Sequence, residues 1–129
     1  MTNDYAGIES ALILYFNGFY NGDVASLKKI FHPSCHLYCA THTPMTDSDM
    51  EMVYGRVGNR NVPAERGDLR EDGIISIDQS GPECAYAKVY IALGNQMFTD
   101  YLTLVNVDGR WQIITKTFTY VPRPEVEPL

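Results

Sequence analysis

The stretch QMFTDYLTLVNVDGRWQIITKTFTYV, residues 96–121, consists of two long runs of strand-forming residues around a tight turn. Asp108-Gly109 is typical of a two-residue hairpin turn, whose positions need positive φ angles. The flanking residues are rich in β-branched and aromatic side chains, which favour strands. We therefore predict strands over 96–107 and 110–121, joined as an antiparallel hairpin.

The sequence before this hairpin also has a period of two. GIISIDQ (73–79) and ECAYAKVYIAL (83–93) each predict a strand bounded by turn residues. One face of the second segment is apolar and comprises Ala85, Ala87, Val89, Ile91 and Leu93. The second half of the chain is therefore predicted to form four consecutive antiparallel strands.

The first part of the chain has helical periodicity instead. Residues 3–21 carry one apolar stripe, made of Ile8, Leu12, Tyr15, Phe16 and Phe19. Asn3 or Asp4 can cap the start of this helix. Asn21-Gly22 can end it, because glycine adopts the left-handed conformation without a Cβ penalty.

Shorter elements are predicted between this helix and the four strands. Val24–Phe31 indicates a second helix, residues 35–40 a short strand, and residues 46–59 a third helix. Residues 58–72 are polar and punctuated by glycine and proline, which predicts mostly loop. The arginines of residues 55–72 are interleaved with acidic residues, so we expect a solvated surface there.

The order of these elements indicates the fold class. Helices that precede a strand meander, rather than alternating with it, are typical of an α+β fold. The length of 129 residues fits a single domain over residues 1–129. Residues 121–129, with three prolines and no partner pattern, are predicted to be an extended tail.

Composition and charge exclude several classes of function. The net charge of −6 provides no basic surface for phosphates, so we expect neither nucleic acid nor an anionic membrane as a partner. The sequence has no apolar run of about 18 residues and no signal-peptide pattern at its start. Three cysteines, an odd number, favour a reducing compartment, so a cytoplasmic protein is expected. No nucleotide-binding glycine motif occurs, and we expect no cofactor.

The stretch FHPSCHLYCATH, residues 31–42, is rich in potential metal ligands and nucleophiles. They are His32, Cys35, His36, Cys39 and His42. Zinc needs four donors around one point, whereas strand alternation puts the two cysteines on one face and His36 on the other. We therefore expect no metal. The favoured interpretation is a strand whose cysteines line or underlie a cavity, and a thiol nucleophile at Cys39 is the alternative.

Asp100 is the acidic residue that best fits a functional role. It shares one strand face with the apolar side chains of Phe98, Leu102 and Leu104. A carboxylate on such a face is costly unless it is paired or partly solvated, so we treat Asp100 as a candidate acid/base. The alternative is a bend or bulge that turns it outward, towards Lys116 or Lys88.

Three tyrosines are candidates for contacts with a ligand. Tyr15 lies in the apolar stripe of the first helix and is either a core tyrosine or a hydrogen-bond donor to a ligand oxygen. Tyr38 and Tyr54 are candidates for stacking against a flat ligand. Their alternative role is simple filling of a curved sheet.

Two segments carry a resemblance to a known family. With YFNGFYNGDVASLKKIFHPSC (15–35) and FTDYLTLVNVDGRWQIITKTF (98–118), the chain resembles the nuclear transport factor 2-like superfamily and, within it, the putative lumazine-binding family. The resemblance covers nearly the whole chain. It implies a cone, in which a strongly bent antiparallel sheet packs on the long N-terminal helix and two further helices around an internal pocket.

The resemblance to ketosteroid isomerases within this superfamily can be followed residue by residue from NGD (21–23). It places Tyr15 at the position of the oxyanion tyrosine and Cys39 at the position of the catalytic aspartate base. The third catalytic group, a protonated acid, falls on Asp100 or Tyr101. Because a cysteine is a poor substitute for a carboxylate base, the resemblance argues against steroid isomerisation as that family performs it.

These observations leave three hypotheses for function. The first is a small-molecule-binding protein of the putative lumazine-binding type, with Tyr15, Tyr38, Cys39, Tyr54 and Asp100 as ligand contacts. The second is an isomerase, dehydratase or cyclase that uses Asp100 as acid/base and Tyr15 as electrophilic donor. The third is a non-catalytic dimer module whose pocket is filled by aromatic side chains. A homodimer through the open sheet face is implied by the resemblance.

Overall fold

Four helices and six strands are defined in the computed structural model, which describes residues 3–59 and 61–124. The helices are α1 (Tyr5–Asn21), α2 (Val24–Ile30), α3 (Met50–Asn59) and α4 (Pro63–Arg66). The strands are β1 (Phe31–Cys39), β2 (Thr46–Asp49), β3 (Asp72–Ser80), β4 (Cys84–Leu93), β5 (Gln96–Val107) and β6 (Arg110–Pro122). Most of the predicted tail over 121–129 lies outside the described residues.

All six strands form one curved sheet in the order β2-β1-β6-β5-β4-β3. The last four strands form the predicted antiparallel meander. β1 pairs parallel to β6 and antiparallel to β2, so the sheet is mixed where a purely antiparallel sheet was expected. The predicted α+β class is confirmed, because the helices precede the meander and cover the sheet.

The hairpin between β5 and β6 forms as predicted. Asp108 and Gly109 have φ angles of 53° and 81°, the positive values that a tight hairpin turn requires. The bounds of the four meander strands match the predicted bounds within one residue. Local sequence therefore determines this part of the fold.

One irregularity interrupts the pairing of β5 with β6. Thr103 pairs with Thr115, but the next pair is Leu104 with Ile113, which leaves Ile114 as an extra residue in β6. This is a β-bulge, in which two residues of one strand oppose one residue of its partner. An extra residue reverses the alternation of inward and outward side chains beyond it.

The first helix, α1, packs against the inner face of the sheet. The predicted apolar stripe is buried and comprises Ile8, Leu12, Tyr15, Phe16 and Phe19. Asp4 caps the helix by accepting a hydrogen bond from the backbone N–H of Gly7. Gly22 ends it with a φ angle of 64°. α1 contacts β3, β4 and β6 and thereby covers the centre of the inner face.

The segment before α3 differs from the prediction. A helix over 46–59 was expected, but its first four residues form strand β2, and the helix begins at Met50. β2 pairs with β1, from Cys39 with Thr46 to His36 with Asp49. The edge of β1 overrides the weak helical preference of this polar segment.

Two further boundaries were wrong. β1 begins at Phe31 rather than at residue 35, because the chain enters the sheet directly from α2 and bulges between Phe31 and His36. The predicted loop over 58–72 contains the short helix α4, which starts with proline at its first position.

None of the described helices combines the length and hydropathy needed to span a bilayer.

Candidate functional site

A pocket of about 300 Å³ opens between the inner face of the sheet and the helices α1 and α3. Aliphatic and aromatic side chains form most of its wall: Phe19, Leu37, Val53, Val57, Ile91, Leu93, Phe98, Phe118 and Tyr120. The polar or reactive lining residues are Cys39, His42, Thr46, Ser48, Arg56 and Lys116. An apolar cavity with a few polar groups is the usual form of a small-molecule site.

Lys116 is the charged group that lies deepest in this pocket. Its side chain is only 7% exposed. The ammonium lies over three aromatic rings, 4.7 Å from the centre of Phe19, 5.0 Å from that of Phe118 and 5.1 Å from that of Tyr15. Each ring face attracts a cation and excludes water from it. Lys116 therefore presents a largely desolvated positive charge to the pocket.

The bulge at Ile114 is the reason that Lys116 faces inward. Trp111 and Ile113 are buried on the inner side before the bulge. Strict alternation from these residues would place Thr115 inside and Lys116 outside. The extra residue reverses this pattern, so that Lys116 is buried beside Asp100.

Asp100 and Tyr15 form a buried pair directly behind Lys116. Both side chains are fully buried, and the Tyr15 hydroxyl donates a hydrogen bond to Asp100 Oδ2. The Lys116 ammonium lies 3.5 Å from the same oxygen. Asp100 Oδ1 is buried and has no hydrogen-bond partner within the described residues.

Burial fixes the protonation of Tyr15. Loss of solvation raises the pKa of its hydroxyl well above the usual value of 10, and the negative charge of Asp100 raises it further. The hydroxyl therefore stays protonated at neutral pH and remains a donor. The charge of Asp100 is compensated by this donor and by Lys116, as a buried carboxylate requires.

The structure brings some of the predicted site residues together and separates others. Tyr15 and Asp100 meet, but neither lines the pocket, which they reach through Lys116. Cys39 lines the pocket directly. Tyr38 stacks on His36, and the ring of Tyr54 lies 5.4 Å from the ammonium of Lys28, so neither tyrosine is part of the lining.

The sequence left undecided whether Asp100 or Tyr101 points inward from β5. Asp100 points inward and Tyr101 outward, with a residue exposure of 41% for Tyr101. The alternative was that Asp100 turns outward to pair with Lys116 or Lys88. Asp100 does pair with Lys116, but it points inward and the pair is buried. Lys88 instead lies over the ring of Tyr101.

The histidines of FHPSCHLYCATH point to separate partners. His32 Nδ1 accepts a hydrogen bond from the backbone N–H of Ser34, at 3.0 Å. His36 Nδ1 lies 2.6 Å from an Asp47 carboxylate oxygen, and the ring of His42 packs on Tyr120. Across residues 3–59 and 61–124, no three His, Cys, Asp or Glu side chains are grouped as metal ligands would be.

The two cysteines of this stretch differ in their environment. Burial raises the pKa of the Cys35 thiol to about 12, so Cys35 is an inert core residue. Cys39 is nearly buried, and its sulfur lies 3.4 Å from the hydroxyl of Thr41. Its position in the pocket wall matches the favoured interpretation of this stretch.

Arg56 and Lys116 are the site residues that the sequence analysis missed. Arg56 lies within the predicted helix and is exposed, as expected, but it also lines the pocket, where its guanidinium donates a hydrogen bond to Ser48 at 3.1 Å. Helical spacing from Val53 and Val57 could have indicated this, since Arg56 is their neighbour on α3. No local pattern indicates the bulge that turns Lys116 inward.

The mixed sheet, the α1 packing and the pocket between them define a nuclear transport factor 2-like fold. Solved structures of this class are similar over most of their length. A nuclear transport factor 2-like protein of unknown function from Shewanella baltica has a TM-score of 0.83 at 20% identity, covering 95% of this chain and 99% of that one. One from Silicibacter pomeroyi has a TM-score of 0.81 at 19% identity, with coverage of 90% and 94%.

A ketosteroid isomerase-like protein from Erwinia carotovora is also similar, with a TM-score of 0.72 at 13% identity and coverage of 94% and 98%. At these identities the similarity establishes the fold alone. Residues 3–119 match the model of the family described as putative lumazine-binding, and the chain belongs to this family. Curated proteins give no significant match.

Proposed function

We propose that the protein binds a small organic molecule in the pocket between the sheet, α1 and α3. The observation that carries this proposal is an open cavity of about 300 Å³ whose apolar wall contains one buried ammonium, that of Lys116. The volume is at the lower end of the range for ligand sites, which suits a molecule of one or two rings. The name of the family supports binding as the function and does not by itself identify the ligand.

Asp100 and Tyr15 have a supporting role in this proposal. They fix the position of the Lys116 ammonium from the side away from the pocket. Asp100 Oδ2 lies 3.5 Å from the ammonium and accepts the hydrogen bond of Tyr15. A polar group whose position is fixed before binding loses less conformational entropy when the ligand arrives. Lys116 would thus be a preorganised contact for an acceptor group of the ligand.

Filling the pocket is expected to weaken binding about tenfold or more, because a ligand loses its apolar contacts when a ring occupies its place. Cys39→Phe places that ring in the pocket wall. Cys84→Phe is the matched control, since Cys84 is exposed at the start of β4 and outside the pocket. Thermal-shift screening of a library of small aromatic and heteroaromatic compounds, followed by calorimetry on the hits, measures the effect.

The proposal requires compounds that bind Cys39→Phe more weakly than the wild-type protein and bind Cys84→Phe as tightly as the wild-type protein. Hits that bind both variants equally well would place the site elsewhere on the protein. A well-folded protein that binds no compound of the library would leave the pocket without a function in binding.

A second candidate function is proton transfer on a bound ligand by Asp100. The observation that favours it is the buried Oδ1 of Asp100, which has no partner among the described residues. Binding alone is favoured over it because Asp100 and Tyr15 do not line the pocket. Deuterium uptake from D₂O at the α-carbon of a bound ketone, compared between the wild type and Asp100→Asn, distinguishes the two candidates. The third hypothesis, a dimer module with a filled pocket, is disfavoured by the open cavity.

We also propose a homodimer through the outer face of the sheet. Tyr86 and Tyr101 lie 6.2 Å apart on this face, and Thr103 and Thr115 continue the same row. Tyr101→Glu is expected to shift the molar mass measured by light scattering from twice 14.5 kDa towards the monomer, because it replaces an aromatic ring of the contact with a carboxylate that must lose its solvation there. A wild-type mass of one chain at micromolar concentration would contradict this proposal.

A further inference from the structure

The pocket is positively charged in a protein whose net charge is −6. Lys116 lies at its inner wall and Arg56 at its α3 side. No aspartate or glutamate is found among the described residues that line it. Asp100 is in contact with Lys116 and lies behind the wall. The formal sum over Lys116, Arg56 and Asp100 is one positive charge.

This distribution is unlike that of the rest of the chain. With 16 acidic and 10 basic residues, an average surface of the protein is acidic and repels anions. A cavity with aromatic walls and a low dielectric strengthens the field of the charges that line it. The pocket therefore attracts anions, which the acidic remainder of the surface repels.

The geometry points to a flat aromatic monoanion, such as an aryl carboxylate or an enolate, as the ligand. This inference rests on the proposed function, since it names the chemical class for the same pocket. The rings of Phe19, Phe98 and Phe118 provide apolar faces for an aromatic ring. The acidic group would lie between the Lys116 ammonium and the Arg56 guanidinium, and a single negative charge balances their sum with Asp100.

The hydroxyl of Ser48 supports this placement. Ser48 is buried and lines the pocket, and its oxygen already accepts the hydrogen bond from Arg56. Its hydroxyl proton can then be donated to a ligand oxygen beside Arg56, since a hydroxyl is both donor and acceptor. At this end of the pocket a carboxylate would face the hydrogen-bond donors of Lys116, Arg56 and Ser48. A cationic ligand would instead face two groups of its own charge.

The test compares 2-naphthoate with 2-naphthamide, which has the same ring system and nearly the same shape but no charge. Calorimetry on the wild-type protein is expected to show 2-naphthoate binding at least about tenfold more tightly, as hydrogen bonds to a charged group are stronger than neutral ones. Arg56→Gln is expected to weaken 2-naphthoate binding about fivefold, the scale of an exposed ion pair, and to leave the amide unchanged.

Arg110→Gln serves as the matched control, because Arg110 is exposed at the start of β6 and outside the pocket. Equal affinity for the acid and the amide, with both lost in Cys39→Phe, would overturn the inference and leave the proposed function intact. The same conclusion follows if neither naphthalene binds while other compounds bind in a Cys39-dependent way. A protein that binds no compound at all would overturn both proposals.

Discussion

Replacing Lys116 with methionine is expected to lower the free energy of unfolding by about 3–5 kcal/mol, the usual cost of breaking a buried ion pair from one side. Methionine fills a similar volume, so the loss arises from the charge rather than from a cavity. The fully buried carboxylate of Asp100 would keep the hydrogen bond from Tyr15 and lose its positive partner. Urea unfolding followed by circular dichroism measures the change.

Two further variants make this result specific to the pair. In Lys116→Met/Asp100→Asn, much of the lost stability should return, because the uncompensated charge is removed and the amide oxygen can still accept from Tyr15. Lys88→Met is the matched control, since Lys88 lies on the outer face over Tyr101. We expect it to cost less than about 1 kcal/mol. A loss in Lys116→Met as small as that of the control would show that Asp100 does not depend on Lys116.

Tyr15→Phe is expected to cost about 1.5–3 kcal/mol, the range for a hydrogen bond to a charged group. The ring and its packing on Phe16, Phe19 and Phe31 are retained. Among the described residues, the carboxylate of Asp100 then keeps Lys116 near Oδ2, while Oδ1 has no hydrogen-bond partner there. The loss of stability therefore reports on one buried hydroxyl, and urea unfolding again measures it.

Tyr20→Phe is the control for this variant. The Tyr20 hydroxyl donates to the backbone carbonyl of Asp68, a neutral acceptor, at 2.5 Å. Its loss should cost about 0.5–1.5 kcal/mol. If Tyr15→Phe were no more harmful than Tyr20→Phe, the carboxylate would be satisfied by other means, and the role of Tyr15 as its donor would be wrong.

Elements that are determined by interactions between residues near in sequence were predictable from the sequence. The meander and α1 were predicted nearly to the residue, because hairpin turns, helix caps and alternating patterns are local features. β2 was missed, because its four polar residues become a strand only beside the edge of β1. No property of residues 46–49 alone indicates that pairing.

The candidate site divides in the same way. Asp100 was assigned to the inner face from the alternation of β5, which is regular along the whole predicted segment. Lys116 was missed, because its inward direction depends on a bulge that only the pairing of two strands produces. Arg56 was missed because its charge and its acidic neighbours predict only a solvated surface, and the pocket that it lines is formed with residues distant in sequence.

The extra residue Ile114 acts on β6 as a frameshift acts on a reading frame. Before Ile114, the odd-numbered residues of β6 point to the inner face. After it, the even-numbered residues do. In a related protein that lacks this extra residue, the alternation would place Thr115 and Thr117 inside and Lys116, Phe118 and Tyr120 outside, so one residue changes the whole cavity side of this half of the strand. Alignments that place a gap elsewhere in this strand would compare cavity residues with surface residues.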